Sequence, residues 1–151
     1  MEIKAESRTQ RVMSAFLKAF AAWAQKNAFS VFPVPAGCGC CFEQLRQTGA
    51  DIVSNPHHAD VLLVGGALSR KAASTVRRLY DQMPEPKYVV AWGGCAASGG
   101  LFAGSYATTD IADILPVDVY IPGCPPDAAA IGKGMAALKK IVRMKIEGKT
   151  V

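Results

Sequence analysis

The chain has 151 residues, a formal net charge of +5 and 50% hydrophobic residues, with an isoelectric point near 9.0 and a mean hydropathy of +0.17. This composition excludes a disordered chain, and the polar start and short apolar runs exclude a signal peptide and a membrane helix of about 20 residues, so we expect one soluble, cytosolic domain. The positive charge is best explained by solvated Lys and Arg side chains on helix faces; it also suits an acidic protein partner, whereas no motif supports nucleic-acid binding.

Residues 1–28 are predicted to form an amphipathic helix ahead of the core domain. Four apolar side chains, at steps of four, four and three residues, share one helical face: Val12, Phe16, Phe20 and Trp23. This face either packs on the core or docks on a partner subunit. The remaining residues, 29–151, are predicted to form a single domain.

Four apolar runs in this domain predict β-strands, at residues 29–34, 60–68, 87–94 and 117–123. The first is short and approaches its end at Pro33. The other three are continuous apolar runs, which is typical of strands that are buried on both faces.

One predicted helix follows each of the last three strands. The helix over 69–83 is predicted to start at the N-cap Ser69 and to stop before Pro84. A short helix over 108–115 is expected to be capped by Thr108 or Thr109. The last helix, over 125–146, is expected to carry proline in its first turn and basic residues near its end. This alternation predicts an α/β domain with a parallel sheet and helices on both faces.

Five cysteines are the candidate metal ligands: Cys38, Cys40, Cys41, Cys95 and Cys124. An odd number of cysteines without a secretory signal argues against disulfides. Each cysteine group follows the carboxyl end of a predicted strand. Because these ends share one edge of a parallel sheet, we expect the three groups to converge on one site.

Four thiolates suit either a zinc ion or an iron–sulfur cluster. Structural zinc usually has two short-spaced ligand pairs, whereas here Cys95 and Cys124 are single. The glycines around them, such as Gly94 and Gly123, let the backbone approach a bulky group. The residues therefore favour a cluster over zinc, and buried inert thiols are a third alternative.

Four segments resemble a known family: AWAQKNAFSVFPVPAGC, NPHHADVLLVGGALSRK, VRRLYDQMPEPKYVVAWGGCAASGG and ILPVDVYIPGCPP. They are similar to the cluster-bearing small subunit of energy-converting, membrane-bound [NiFe] hydrogenases. They are equally similar to its homologue in respiratory complex I, the 20 kDa-type subunit beside the quinone site. The resemblance covers roughly residues 20–142.

This resemblance implies a flavodoxin-like fold, over residues 29–151, that carries one 4Fe-4S cluster. It implies an electron relay between a ferredoxin-like iron–sulfur subunit and a catalytic large subunit, whose nickel–iron site interconverts protons and hydrogen. Membrane-arm subunits would be indirect partners. The complex would be membrane-bound, with this chain peripheral on the cytoplasmic side.

The resemblance leaves two ligand sets open at the first cysteine group. Cys38 and Cys41 belong to Cys-x-x-Cys-x-Glu-x-Leu, as in hydrogenase small subunits, whereas Cys40 and Cys41 form the adjacent pair of complex I. Successive side chains of an extended chain point apart, so we favour Cys38, Cys41, Cys95 and Cys124, with Cys40 as the alternative to Cys38.

Further residues bear on function by resemblance. Glu43 is a candidate for a proton route or a hydrogen bond to the large subunit, or it is simply a favourable acid at a helix start. The stretch RQTGADIVSNPHH is shorter than in the family, which disfavours a quinone cavity. A quinone-linked complex I subunit and a zinc-stabilised structural subunit remain alternatives. Trp92 is expected in the core, and the loop AASGGLFAG is expected to contact a larger subunit.

Overall fold

The computed structural model describes residues 29–37, 41–42, 45 and 51–146, so the predicted helix within residues 1–28 lies outside them. Its five strands are β1 (Ser30–Pro35), β2 (Asp51–Ile52), β3 (Val61–Gly65), β4 (Tyr88–Trp92) and β5 (Val119–Ile121). Its helices are α1 (Arg70–Asp81), α2 (Gly94–Ser98), α3 (Ile111–Ile114) and α4 (Ala128–Ile146), with 3₁₀ turns at Pro56–His58 and Gly100–Phe102.

The strands form one parallel sheet in the order β2-β1-β3-β4-β5. In the register, Leu63 of β3 lies beside Val90 of β4, and Trp92 lies beside Ile121 of β5. This strand order is that of flavodoxin-like domains, so the predicted α/β fold is confirmed.

Helices cover both faces of the sheet. One face buries Leu63, Val90 and Trp92 under α4, which contributes Leu138 to that layer. The opposite face buries Leu62 and Val89 under α1 and α3. Burial on both faces explains why β3 and β4 are continuous apolar runs.

The first predicted helix start is confirmed in detail. Ser69 precedes α1, and its hydroxyl accepts a hydrogen bond from the backbone N–H of Ala72 at 3.2 Å. The helix ends at Asp81, with Gln82 as its C-cap, two residues before Pro84. The cap satisfies one of the helix donors that have no partner within the first turn.

The predicted cap of the short helix was wrong. The helix α3 begins at Ile111, and Asp110 occupies the cap position without a side-chain capping bond. The hydroxyl of Thr108 instead donates to the carbonyl of Phe102 at 2.9 Å, and the N–H of Thr109 donates to the carbonyl of Leu68 at 3.0 Å. Thr108 therefore fastens the preceding loop, and Thr109 joins that loop to the segment between β3 and α1.

The start of the last helix also differs from the prediction. Prolines 125 and 126 precede α4 instead of lying in its first turn. The carboxylate of Asp127 accepts from the N–H of Ala130 at 2.7 Å, which caps the first turn. The sequence reasoning also missed α2 and the short strand β2, because elements of two to five residues carry almost no periodic signal.

Among the helices of the described residues, none has both the length and the apolar character needed to cross a lipid bilayer.

Candidate functional site

Three described cysteines lie beyond the carboxyl ends of strands, as predicted. Cys41 lies in a helical segment after β1 and is 3% exposed. Cys95 lies in α2 directly after β4 and is partly buried, and Cys124 follows β5 and is exposed. All three therefore occupy the same edge of the sheet.

Two backbone hydrogen bonds join the segments that carry Cys95 and Cys124. The N–H of Gly93 donates to the carbonyl of Ile121 at 2.8 Å, and the N–H of Gly94 donates to the carbonyl of Gly123 at 2.7 Å. These bonds continue the pairing of β4 with β5 past the ends of the strands. The loop that holds Cys95 is thereby fixed against the loop that leads to Cys124.

At Gly93, the segment that carries Cys41 contacts the segments of the other two cysteines. A Cβ atom placed on Gly93 would lie 2.8 Å from Sγ of Cys41 and 3.4 Å from the carbonyl oxygen of Gly123. Its φ of 90° and ψ of 162° belong to a region that is essentially restricted to glycine. The thiol of Cys41 thus rests on bare backbone, between the segments of the other two cysteines.

Two further contacts shape the site. A Cβ on Gly100, whose φ is 54°, would lie 2.9 Å from Sγ of Cys95, so the turn after α2 closes tightly over that thiol. The indole Nε1 of Trp92 donates to the carbonyl of Cys41 at 2.8 Å. Trp92 is 1% exposed, which confirms its place in the core and shows that it also holds the Cys41 backbone.

The loops after β1 and β3 contact each other through backbone alone. A Cβ on Gly66, at φ 92°, would lie 2.6 Å from the backbone nitrogen of Gly37. This contact lies where the strand order reverses, which is where open α/β sheets usually bind ligands. Backbone fills this position, and the segments that carry Cys41, Cys95 and Cys124 meet instead around Gly93, between β4 and β5.

An apolar loop projects beside Cys95. Leu101 is 98% exposed, Tyr106 is 88% exposed and Phe102 is 54% exposed. A groove of about 300 Å³ adjoins this loop, with Arg70 and Asp110 among its lining residues. Sequence reasoning singled out the first part of the loop but missed Tyr106, because an apolar residue in a loop gives no sign of whether it faces the core or solvent.

The donor types along this edge fit a thiolate-bound group. In the described part of the chain, no three His, Cys, Asp or Glu side chains are grouped as ligands of one ion. Cys38, Cys40 and Glu43 lie outside that part, so any four-cysteine set includes a residue that it does not cover. Gly93 and Gly100 let bare backbone lie against the thiols of Cys41 and Cys95, an environment that suits iron–sulfur ligation.

Comparisons with known proteins agree with this architecture. The family model described as "NADH ubiquinone oxidoreductase, 20 Kd subunit" matches residues 24–138. A chain from the membrane-bound sulfane sulfur reductase, an archaeal respiratory membrane complex, is 29% identical, with a TM-score of 0.66, over 82% of this chain and 75% of that chain.

A chain from an NAD+-reducing [NiFe]-hydrogenase in the H2-reduced state has a TM-score of 0.56 over 75% of this chain and 92% of that chain. At 19% identity, this second likeness speaks for the fold alone. The family match spans most of the domain and contains all five cysteines. The chain therefore belongs to the family of the 20 kDa subunit of NADH ubiquinone oxidoreductase and the small subunits of [NiFe] hydrogenases, whose members are subunits of oxidoreductase complexes.

Proposed function

We propose that this chain is an electron-transfer subunit that holds one 4Fe-4S cluster at the carboxyl edge of its sheet. It relays electrons between a ferredoxin-type subunit and the catalytic large subunit of a membrane-bound complex. The observation that carries the proposal is the meeting of three cysteine-bearing segments around Gly93. Family membership supports it, because the members work in oxidoreductase complexes.

Cys41, Cys95 and Cys124 are three of the proposed ligands, and Cys38 is the fourth, with Cys40 as its alternative. When bound, such a cluster supplies a one-electron carrier whose potential depends on burial and on hydrogen bonds to its sulfurs. The chain's own residues hold the proposed ligands in position. Trp92 fixes the backbone of Cys41, and the core burial of Cys41 keeps water from that thiol.

The proposed catalytic partner covers the apolar loop. Leu101, Phe102 and Tyr106 would be poor solvent surface, and exposed apolar patches of this kind mark protein interfaces. A partner there would also shield Cys124, which is exposed in the chain by itself. We place the subunit peripherally, on the cytoplasmic side of the membrane. Glu43 is a candidate contact of the large subunit.

The proposed reaction of the whole complex is that of an energy-converting [NiFe] hydrogenase. Its basis is the first cysteine group, whose Cys-x-x-Cys-x-Glu-x-Leu form resembles that of hydrogenase small subunits. A sulfane sulfur reductase is the second candidate, because the chain from that complex is 29% identical to this one. The role of this chain is the same in both, since the bond chemistry takes place in the large subunit.

Metal analysis tests the proposal. The chain is produced anaerobically together with its large subunit, and iron, acid-labile sulfide and zinc are measured for the wild type and for Cys124→Ser. We expect the wild type to contain about four more irons and four more sulfides than the variant, with a dithionite-induced paramagnetic signal that the variant lacks. Stoichiometric zinc without this iron difference would favour a structural zinc subunit instead.

A further inference from the structure

The outward face of α4 has an unbalanced positive charge. The helix contains five basic residues and no acidic residue: Lys133, Lys139, Lys140, Arg143 and Lys145. Lys145 pairs with Asp118 at 2.9 Å. Lys133, Lys140 and Arg143 are exposed on the outer side and form no ion pair with another described residue.

The helix dipole accounts for only part of this charge. It favours cations within the last turn, whereas Lys133 is the sixth of the nineteen residues of α4. Solvated helices more often interleave both signs, because Glu and Lys one turn apart attract each other. An anionic counterpart outside the described chain is the simplest complement to three cations on one face.

The same face contains Gly132, a glycine that the fold does not require, and Gly134 two residues later serves as a comparison. Gly134 lies against the sheet, and a Cβ there would overlap the side chain of Ile121. Gly132 is exposed instead, and a Cβ there would meet no atom of the described residues within 4 Å. Glycine inside a helix costs about 1 kcal/mol relative to alanine, so Gly132 weakens α4 without any gain in internal packing.

Small residues continue this surface on both sides of Gly132. Ala129 lies three residues before it and Ala136 four residues after it, and both are exposed. Residues at these spacings share one side of a helix. A second helix could therefore approach the backbone of α4 closely here, as small residues permit in other helix pairs.

We propose that the outward face of α4 is a docking surface for an acidic helix of a partner subunit. The small residues Ala129, Gly132 and Ala136 admit the backbone of that helix. Its carboxylates pair with the cations Lys133, Lys140 and Arg143. The proposal rests on the proposed function only in that the chain works within a complex.

The exposed residues of α4 argue for a protein helix over a lipid surface. Helices that lie on membranes bury large apolar side chains such as Trp, Phe and Leu below the headgroups. Among the residues of α4 with described side chains, those that are exposed are all Ala, Gly, Lys or Arg. Such a face offers charge to an anionic membrane but no apolar anchor.

Zero-length cross-linking tests the charge pairing. The native complex is treated with a carbodiimide, which joins an amine to a carboxylate in direct contact, and the products are mapped by mass spectrometry. We expect Lys133 and Lys140 to link to Asp or Glu residues of a single partner helix. Lys140→Arg keeps the charge but removes the amine, so it should abolish its own link and leave assembly intact. Absence of any link from either lysine would contradict the proposal.

A steric test uses two substitutions of Gly132. Gly132→Ala should raise the stability of the chain by itself yet weaken its retention in the complex, a divergence that a purely structural role does not predict. Gly132→Leu should reduce co-purification of the partner subunit at least tenfold. Ser74→Leu is the matched control, because Ser74 is exposed on α1, across the sheet.

The outcomes separate this proposal from the cluster assignment. The α4 variants should retain wild-type iron content, since the substituted residues are exposed and lie outside the core layer that holds Cys41. If Gly132→Leu assembles like the wild type, the docking surface is disproved while the cluster assignment stands. If Lys140→Glu with Arg143→Glu lowers binding to anionic phospholipid vesicles but leaves subunit retention unchanged, the face binds lipid and the proposal is wrong.

Discussion

The three cysteine-bearing segments meet around Gly93 because this residue has no side chain. Its N–H donates across to the β5 segment, and its Cα faces the thiol of Cys41. Only glycine combines the backbone angles and the open space that this position needs. The geometry of the candidate site therefore depends on a residue that would itself bind nothing.

Gly93→Ala should disrupt the site at its centre. The new methyl group would overlap Sγ of Cys41, and the backbone conformation would cost about 1–3 kcal/mol for a residue other than glycine. We expect loss of iron from the co-produced complex and a lower urea midpoint. The control is Gly104→Ala, at φ 75°, where a Cβ would lie within 4 Å of no atom in the part of the chain that the structure describes. Equal iron loss in both variants would show that backbone strain alone, and not contact with Cys41, is responsible.

The two alternatives at the first cysteine group differ in their response to serine. We expect Cys40→Ser to keep the cluster, because it exchanges a small residue for a near-isostere. Cys38→Ser should lower iron content or shift the midpoint potential, because it removes a thiolate ligand. Iron analysis and a redox titration of both variants decide the matter. The reverse pattern would show that the chain uses the adjacent cysteine pair.

The positions of the cysteines in the fold were easier to predict from the sequence than their surroundings. Strand ends in a parallel sheet must share an edge, so Cys95 and Cys124 could be placed together from their spacing relative to the strands. The closure of Gly100 over Cys95 and the exposure of Tyr106 could not be foreseen. Both depend on the path of a loop, which local propensity does not specify.

At the scale of elements, α4 contains two glycines with opposite roles. Gly134 lets the helix settle on Ile121 of β5, whereas Gly132 faces outward. The helical periodicity of the sequence did not distinguish these two positions, because it does not show which glycine contacts the sheet. The threonines before α3 are a similar case. The hydroxyl of Thr108 bonds to the carbonyl of Phe102 and the N–H of Thr109 bonds to the carbonyl of Leu68, so neither threonine caps the helix as its position in the sequence suggested.

Alanine at these two positions should therefore have opposite effects on folding. Gly134→Ala should lower the free energy of unfolding by about 1–3 kcal/mol, because the methyl group overpacks the interface with Ile121. Gly132→Ala should raise it by up to about 1 kcal/mol through helix propensity. Urea unfolding of the two variants measures the difference. Equal effects of the same sign would contradict the assigned helix orientation.

A polar contact ties the end of α4 to the amino ends of β4 and β5. Asp118 accepts from Lys145 at 2.9 Å and from the backbone N–H of Val89 at 2.8 Å. The hydrogen bond with Asp118 raises the pKa of Lys145 above its ordinary 10.5. Burial raises the pKa of Tyr88, whose ring lies 4.8 Å from the Lys145 ammonium.

This contact should contribute stability only below strongly alkaline pH. Because the folded pKa of Lys145 exceeds the unfolded one, its contribution is complete below about pH 10.5 and is lost as pH rises through the folded value. Lys145 is half-exposed, so the contribution should be under about 1 kcal/mol. The stability advantage of the wild type over Lys145→Met should therefore be present at pH 9 and shrink above pH 10.5. An advantage that grows over this range would disprove the assignment.

At the scale of the whole molecule, the sheet separates two surfaces. The carboxyl edge carries Cys41, Cys95, Cys124 and the exposed loop with Leu101 and Tyr106, while the outer side of α4 carries cations and small residues. The parallel sheet and its two-sided helical cover were predictable, because buried parallel strands need helices on both faces, whereas the edge strand β2 was missed. The loop surface was only partly predictable.

The loop should be the part of the molecule most sensitive to a charge on its apolar surface. Leu101→Asp should leave the stability of the chain within about 0.5 kcal/mol of the wild type, because the side chain is 98% exposed. It should nevertheless lower co-purification of the large subunit at least tenfold. The control is Ile52→Asp, on the edge strand β2, which lies at the other side of the sheet from β4 and β5 and from the loop that carries Leu101. Normal assembly of the Leu101 variant would remove this loop from the interface.

An iron-edge anomalous difference map of the complex, crystallised under anaerobic conditions, would show directly whether these cysteines hold a cluster. We expect one compact iron peak in contact with Sγ of Cys41, Cys95 and Cys124, and with either Cys38 or Cys40. Absence of iron at these thiols, or a peak at the zinc edge in its place, would disprove the proposed cluster.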